Sequence, residues 1–238
     1  MTLANQTALI TGASAGVGHA TALTFARQGA NVLLTARREE RLIALCKKIR
    51  AEGGRAEYVA GDATLETTAN AAVAAAIQHF GQLDHLISNA GAGNYKNLVD
   101  TSTEEYDQLM DANMKSSFLF ARAAAVHMIA RKSGNIVFVS SIAGLHGAAG
   151  EAVYSASKFA QAGFAESLDA ELRKHNIKVG CFFPGGIKTE FALGKGRTEA
   201  SVAASHMMDP ADVAETILFI STRPANARVN QLTLRHMG

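Results

Sequence analysis

A tyrosine and a lysine one helical turn apart, Tyr154 and Lys158, stand at the head of an alanine-rich stretch that reads as a long helix. The four-residue step puts both side chains on one face. An ammonium beside a phenol favours the phenolate, so the spacing predicts a tyrosine whose pKa falls from its ordinary ~10 toward neutral. Such a phenol can exchange a proton with a substrate oxygen. Ser141, at the end of the apolar run 136–139, offers a hydroxyl to that same oxygen. A surface Tyr and Lys that merely happen to be four apart are the alternative, and the rest of the chain decides between the two.

A second pattern lies near the start. Positions 11–18 read Thr-Gly-Ala-Ser-Ala-Gly-Val-Gly, between a short apolar run and an amphipathic stretch. Gly12, Gly16 and Gly18 let the backbone turn sharply and approach a pyrophosphate, while the N–H groups that open the next helix point at the anion. The spacing is not GxGxxG, and a tight loop would also use these glycines. At the next strand end, Ala36 is followed by Arg37 and Arg38, then Glu39 and Glu40. An acid here binds a free ribose 2′-hydroxyl, whereas a guanidinium fork matches a 2′-phosphate, so NADP is expected over NAD. A solvated helix start, with Glu39 or Glu40 pairing the arginines, is the competing reading.

Asp62 and Ala63 close the third strand; Asp62 either accepts from an adenine amino group or caps the following helix. Asn89, Ala90 and Gly91 close the fourth and are small enough for close approach by a ligand or by neighbouring backbone. Asn113 lies in an apolar helical stretch, where a buried amide usually bridges backbone groups at a kink.

These residues act together only on a scaffold that brings several strand ends to one place. Short apolar runs near 7–11, 31–36, 56–61, 85–88, 135–140, 178–183 and 231–235 alternate with helical patterns near 16–28, 39–52, 65–80, 103–131, 153–175 and 210–221. That alternation predicts an α/β fold: a Rossmann-like, doubly wound, seven-stranded parallel sheet in a single domain over 1–238. Ligands of such sheets bind beyond the carboxyl ends of the strands.

Composition narrows the function. Among 238 residues, 48% are hydrophobic and 18% charged, with a net charge of +2 and no basic run, so neither a nucleic-acid nor a membrane partner is expected. Residues 2–6 lead directly into the first strand without a leader pattern, and no apolar stretch approaches the ~20 residues of a span. Cys46 and Cys181 are far apart and read as reduced thiols, and the eight histidines lack ligand spacing. A cytoplasmic protein without a metal site, acting on a small molecule, is expected.

With these residues in view, the chain resembles the short-chain dehydrogenase/reductase family over essentially its whole length. Positions 11–18 match TGxxxGxG, Ser88-Asn89-Ala90-Gly91 matches NNAG with Ser88 in place of the first Asn, and 154–158 matches YxxxK. The stretches 208–215 and 230–235 are similar to an NADP-preferring subgroup of small carbonyl and hydroxy-acid reductases. The resemblance implies hydride transfer between C4 of a nicotinamide and a carbonyl or alcohol carbon. It makes Tyr154 the general acid/base, and gives Ser141, rather than its neighbour Ser140, the substrate oxygen. Lys158 would lower the phenol pKa and hold the nicotinamide ribose, and Asn113 would position a water linking Lys158 to solvent.

NADP(H) would be held by Gly12, Ser14, Ala15, Gly16, Val17, Gly18, Arg37, Arg38, Asp62, Ala63, Asn89, Ala90 and Gly91, with Tyr154 and Lys158. Pro184, Gly185, Ile187 and Thr189, in a segment that looks like PGxxxT, would complete the set. The poorly patterned stretch 190–208 is expected to be a substrate lid, with Phe191, Leu193, His146 and Asn94 as pocket residues by position. By analogy the protein is a homodimer or homotetramer that pairs its two long helices. A non-catalytic NADP-binding regulator is the alternative function. Such proteins commonly lose the Tyr or Lys, and here both remain. Relatives that epimerise or dehydrate carry TGxxGxxG and a longer substrate domain, and this chain has neither.

Overall fold

The computed structural model describes residues 3–237. Met1, Thr2 and Gly238, which the expectations over 1–238 and 2–6 include, lie outside the described residues.

Strand β1 (Thr7–Thr11) is buried at every position. A strand inside a parallel sheet is covered on both faces, so its run is continuously apolar rather than alternating. Its residues nonetheless divide by parity. Ala8 and Ile10 join a core beneath α1 (Gly16–Arg27), α2 (Glu39–Ala51) and α8 (Pro210–Ser221). Leu9 joins a second core beneath α3 (Glu66–Phe80), α5 (Ser116–Arg131) and α6 (Ala152–Leu172). In register, Leu9 lies between Leu33 of β2 (Asn31–Ala36) and Leu86 of β4 (His85–Ser88). Each such side chain contributes about 1.5–3 kcal/mol on burial, so a slip of one residue would exchange the two cores and is strongly disfavoured.

With β3 (Arg55–Ala60), β5 (Gly134–Val139), β6 (Ile177–Pro184) and β7 (Gln231–Leu234), the seven strands run in parallel in the order β3-β2-β1-β4-β5-β6-β7. The expected doubly wound sheet is therefore present. The chain reverses direction across the sheet between β1 and β4, and the carboxyl ends of all strands share one edge. There the crossovers part and leave a crevice.

The one long helix expected over 103–131 is three pieces: α4 (Thr103–Met110), a π-helical turn (Asp111–Lys115) and α5. The Asn113 carbonyl accepts from Ser117 Oγ (2.8 Å) and Gln161 Nε2 (3.0 Å), and the Ala112 carbonyl accepts from Ser116 Oγ (2.6 Å). Side chains thus occupy carbonyls that the helical ladder would use, and the ladder slips by one residue. The stretch expected over 153–175 is α6 followed by a 3₁₀ turn, Arg173–His175, which ends in left-handed Asn176 (φ 57°). The other boundaries match or shift by one residue, as fraying ends do.

Candidate active site

The crevice is a cleft of about 880 Å³ running from Gly12 and Arg38 to Tyr154 and Thr189. Its first wall is the turn after β1. Thr11 Oγ1 accepts from the N–H groups of Asn89 (2.9 Å) and Ala90 (2.8 Å), and Asn89 Nδ2 donates to the Thr11 carbonyl (2.9 Å). These bonds clamp the ends of β1 and β4 together. Gly12 holds φ +68°, and a Cβ on Gly18 would lie 2.4 Å from the Gly12 carbonyl. Gly18 therefore serves close packing inside the turn and does not line the cleft. The N-cap Ala15 makes no side-chain bond and the first turn of α1 carries no acid, so its N–H groups and positive dipole end are free for an anion.

The arginine pair sits at this end. Arg38 donates through Nε (3.1 Å) and Nη2 (3.0 Å) to Ser14 Oγ, and Arg37 lines the cleft. The anion facing Arg38 is not Glu39 or Glu40. Glu39 accepts from the Tyr58 phenol (3.2 Å), and Arg38 pairs instead with Glu190, which also binds Arg41 at 2.9 Å. Asp62 accepts from the Thr64 N–H and hydroxyl, both at 2.9 Å, and these bonds, led by the backbone one, hold its carboxyl below the usual range. It is not the cap of α3, whose N-cap is Leu65. Asp62 closes a turn upstream and, with Ala63, Ala90 and Gly91, lines the cleft.

At the other end, β5 delivers Ser141 and α6 delivers Tyr154 and Lys158. Ser141 and Tyr154 both line the cleft, and the Ser141 hydroxyl, which accepts from the Ala143 N–H (3.1 Å), acts to lower the phenol's pKa. Ser140 Oγ turns inward and donates to the Lys158 carbonyl (3.1 Å), so the two serines have different tasks. Tyr154 is 5% exposed and packs edge-on against Tyr95, with ring centroids 5.8 Å apart, and against Phe191 at 6.0 Å.

The electrostatics differ from the expectation. Burial raises the phenol's pKa and outweighs the opposing effect of the Ser141 hydroxyl. The ammonium lies 5.9 Å from the ring centroid, and burial lowers its own pKa to about 8. Desolvation wins because both groups are enclosed and, among the described residues, no carboxylate pairs the lysine.

Lys158 Nζ donates to the Val139 carbonyl (3.2 Å) and to Gln161 Oε1 (2.9 Å). Gln161 is fully buried, and its Nε2 bonds Ser117 Oγ (2.7 Å) and the Asn113 carbonyl (3.0 Å). The Asn113 side chain bridges Ala92, accepting from its N–H (2.7 Å) and donating to its carbonyl (3.0 Å), and donates also to Ser157 (2.8 Å). Asn113 therefore connects to Lys158 through the Gln161 amide, and it lies behind the cleft rather than in its lining. Gln161 escaped notice in the sequence, although its place three residues past Lys158 on one helix face was a readable signal.

Pro184, Gly185, Ile187 and Thr189 line the far wall, and the Thr189 methyl packs against Gly16. Phe191, Leu193 and Asn94 line the cleft as expected by position, but His146 lies outside it, exposed beyond the 3₁₀ turn Ile142–Gly144. The stretch 190–208 has structure of its own. It contains helix α7 (Glu199–Ala203), begun by a Thr198–Ser201 capping box, and is tied to the site by Tyr95 N–H donating to the Lys195 carbonyl (3.1 Å). The Arg197 guanidinium stacks on Tyr95 (5.5 Å) and Phe191 (5.7 Å). Among the described residues no group of acids, histidines and cysteines could hold a metal ion, and no helix is long and apolar enough to cross a membrane.

Comparison with known proteins sets this geometry among relatives. A family model described as short chain dehydrogenase matches residues 6–200. An uncharacterized oxidoreductase of Listeria monocytogenes is 33% identical over 98% of this chain and 97% of its own. The crystal structure of a metagenomic short-chain oxidoreductase in complex with NADP superposes with a TM-score of 0.85 at 33% identity, covering 99% of this chain and 98% of that one. A dehydrogenase/reductase from Sinorhizobium meliloti 1021 superposes with a TM-score of 0.88 at 28% identity, over 98% of this chain and 95% of the other.

Proposed function

The chain belongs to the short-chain dehydrogenase family of oxidoreductases, and from that premise we propose that it is an NADP(H)-dependent reductase of small carbonyl compounds, with Tyr154 as the proton donor. The observation that carries this reading is that Ser141, Tyr154 and Lys158 line the same cleft as the Ser14–Arg38 pair. The residues fit a dinucleotide. The uncapped start of α1 suits a pyrophosphate, Arg38 with Ser14 suits a 2′-phosphate, and the cleft extends from there to the phenol. The metagenomic relative's complex with NADP supports the coenzyme assignment.

When bound, NADPH supplies the hydride. The chain's part is orientation and the proton. Ser141 and Tyr154 bond the carbonyl oxygen, polarising the carbon toward the incoming hydride, and the phenol then gives its proton to the resulting alkoxide. A phenol whose pKa is raised by burial holds that proton at neutral pH, available for donation. Lys158, fixed by Val139 and Gln161, keeps one N–H for the nicotinamide ribose, and Thr189 orients the carboxamide. Segment 190–208 is the substrate lid, supported by the packing of Phe191 on Tyr154. Exposed Phe118, Val126 and Ile129 of α5 and Phe159 of α6 support a homodimer or homotetramer paired through these helices.

The test follows NADPH absorbance with purified protein across ketones, aldehydes, diketones, quinones and oxo acids, alongside dissociation constants for NADP⁺ and NAD⁺. Turnover of at least one carbonyl class and tighter NADP⁺ binding are expected. Tight NADPH binding with no turnover of any compound would favour the regulator reading.

A further inference from the structure

Glu190 immediately follows Thr189, and its carboxylate spans the nucleotide end of the cleft. Arg41 Nη1 donates to both of its oxygens, at 3.1 and 2.9 Å, and Arg38 Nη1 pairs with it as well. Arg38 meanwhile commits Nε and Nη2 to Ser14 Oγ. The guanidinium donors suited to a phosphate monoester here are therefore directed at a carboxylate and a hydroxyl of the chain itself. Partial burial raises the Glu190 pKa, but the bonds from Arg41 and Arg38 more than offset this and leave it below the usual range. The group is an anion at neutral pH.

What this carboxylate holds in place is the segment beyond it. One residue on, Phe191 packs against the Tyr154 ring (6.0 Å), and further along Lys195 and Arg197 engage Tyr95. The anion site at one end of the cleft and the cover over the phenol at the other are thus a single short stretch of chain.

We propose that Glu190 is an internal stand-in for the coenzyme's 2′-phosphate: it latches segment 190–208 to Arg38 and Arg41, and a 2′-phosphorylated nucleotide frees the segment by taking those guanidiniums. This rests on the NADP assignment above. A dianionic phosphate outcompetes a monoanionic carboxylate at a paired-arginine site because it offers more charge and a third acceptor oxygen. NAD(H), with a free 2′-hydroxyl, cannot displace the carboxylate and binds beside an intact latch.

The experiment titrates wild type and Glu190→Gln with NADP⁺, NAD⁺, 2′,5′-ADP and 5′-AMP by calorimetry, and follows trypsin cleavage at Lys195 and Arg197 by mass spectrometry. Glu190→Gln should bind NADP⁺ and 2′,5′-ADP about two- to fivefold more tightly, the scale of a solvent-exposed ion pair, with NAD⁺ and 5′-AMP little changed. In wild type, saturating 2′,5′-ADP should speed cleavage and 5′-AMP should not. Equal or weaker 2′,5′-ADP binding by the variant, or cleavage indifferent to 2′,5′-ADP, overturns the latch. A wild type that binds NAD⁺ as tightly as NADP⁺ instead overturns the coenzyme assignment, and the latch with it.

Discussion

At one end of the cleft Lys158 and Gln161 are 4% and 0% exposed and meet through hydrogen bonds that water does not reach. At the other, the side chains of Arg38, Arg41 and Glu190 are 46%, 50% and 39% exposed and meet as ions. Both clusters order long polar side chains, yet by different means. The buried one has no alternative partners, so its geometry is fixed before any ligand arrives; the cost is a lysine held among neutral groups. The exposed one is screened and weak bond by bond, so a better anion can replace a member of it. Rigidity suits the proposed proton donor, whose reach must be set within a fraction of an ångström, and exchangeable partners suit the proposed recognition of a charged coenzyme.

Four variants sharpen or break that contrast, beginning with the largest effect. Tyr154→Phe removes the phenolic proton while keeping the ring packing on Tyr95, so turnover should drop roughly 10²–10⁴-fold with NADPH binding retained. Steady-state kinetics checks this, and wild-type activity in the variant would show that the buried end is scaffold alone.

Lys158→Met tests the cost of burial. Burial lowers the lysine from 10.5, its unfolded value, to about 8 in the fold. Below pH ~8 both states carry the proton and the destabilisation is complete. Between about 8 and 10.5 the folded state releases its proton first, so wild-type stability should rise with pH across this window. The methionine variant lacks that rise and should be more stable at pH 7 by up to about 3 kcal/mol, while losing activity. Urea unfolding at pH 7 and pH 10 reads it out, and a stability gap that does not shrink at the higher pH contradicts it.

Gln161→Leu leaves Lys158 Nζ, Ser117 Oγ and the Asn113 carbonyl each short of a partner, a loss of roughly 1–3 kcal/mol. Its thermal midpoint and kcat should both fall, and the pH profile of kcat should shift because Lys158 loses one of its two anchors. An unchanged profile would reduce Gln161 to packing. Smallest is Glu190→Gln, whose several-fold gain in affinity is confined to 2′-phosphorylated nucleotides. The same gain for NAD⁺ would mean that the exposed end does not discriminate through charge.

The inner strands were legible because inside a doubly covered sheet both faces are apolar, which makes runs such as 7–11 stand out between helical patterns. Tyr154, Lys158 and Ser141 were legible from spacing within one helix and at one strand end. The break at Asp111–Lys115 was not, since it depends on a Gln161 amide that arrives from a different helix. His146 was misplaced for a related reason: being close in sequence to Ser141 says nothing about the direction in which a 3₁₀ turn leaves the strand. Glu190 was passed over because it is separated from Arg41 by 149 positions.

By itself the sequence determined the alternation of strands and helices, the glycine turn, the arginines after β2 and the Tyr–Lys face, all of which depend on residues within a few positions of one another. Only the tertiary structure decided the balance of charge. Whether an ammonium acidifies a phenol depends on how much water both have lost, and whether an arginine awaits a ligand depends on which carboxylate the fold brings to it. Burial and long-range pairing are properties of the assembled crevice, where desolvation outweighs the attraction that spacing alone suggests.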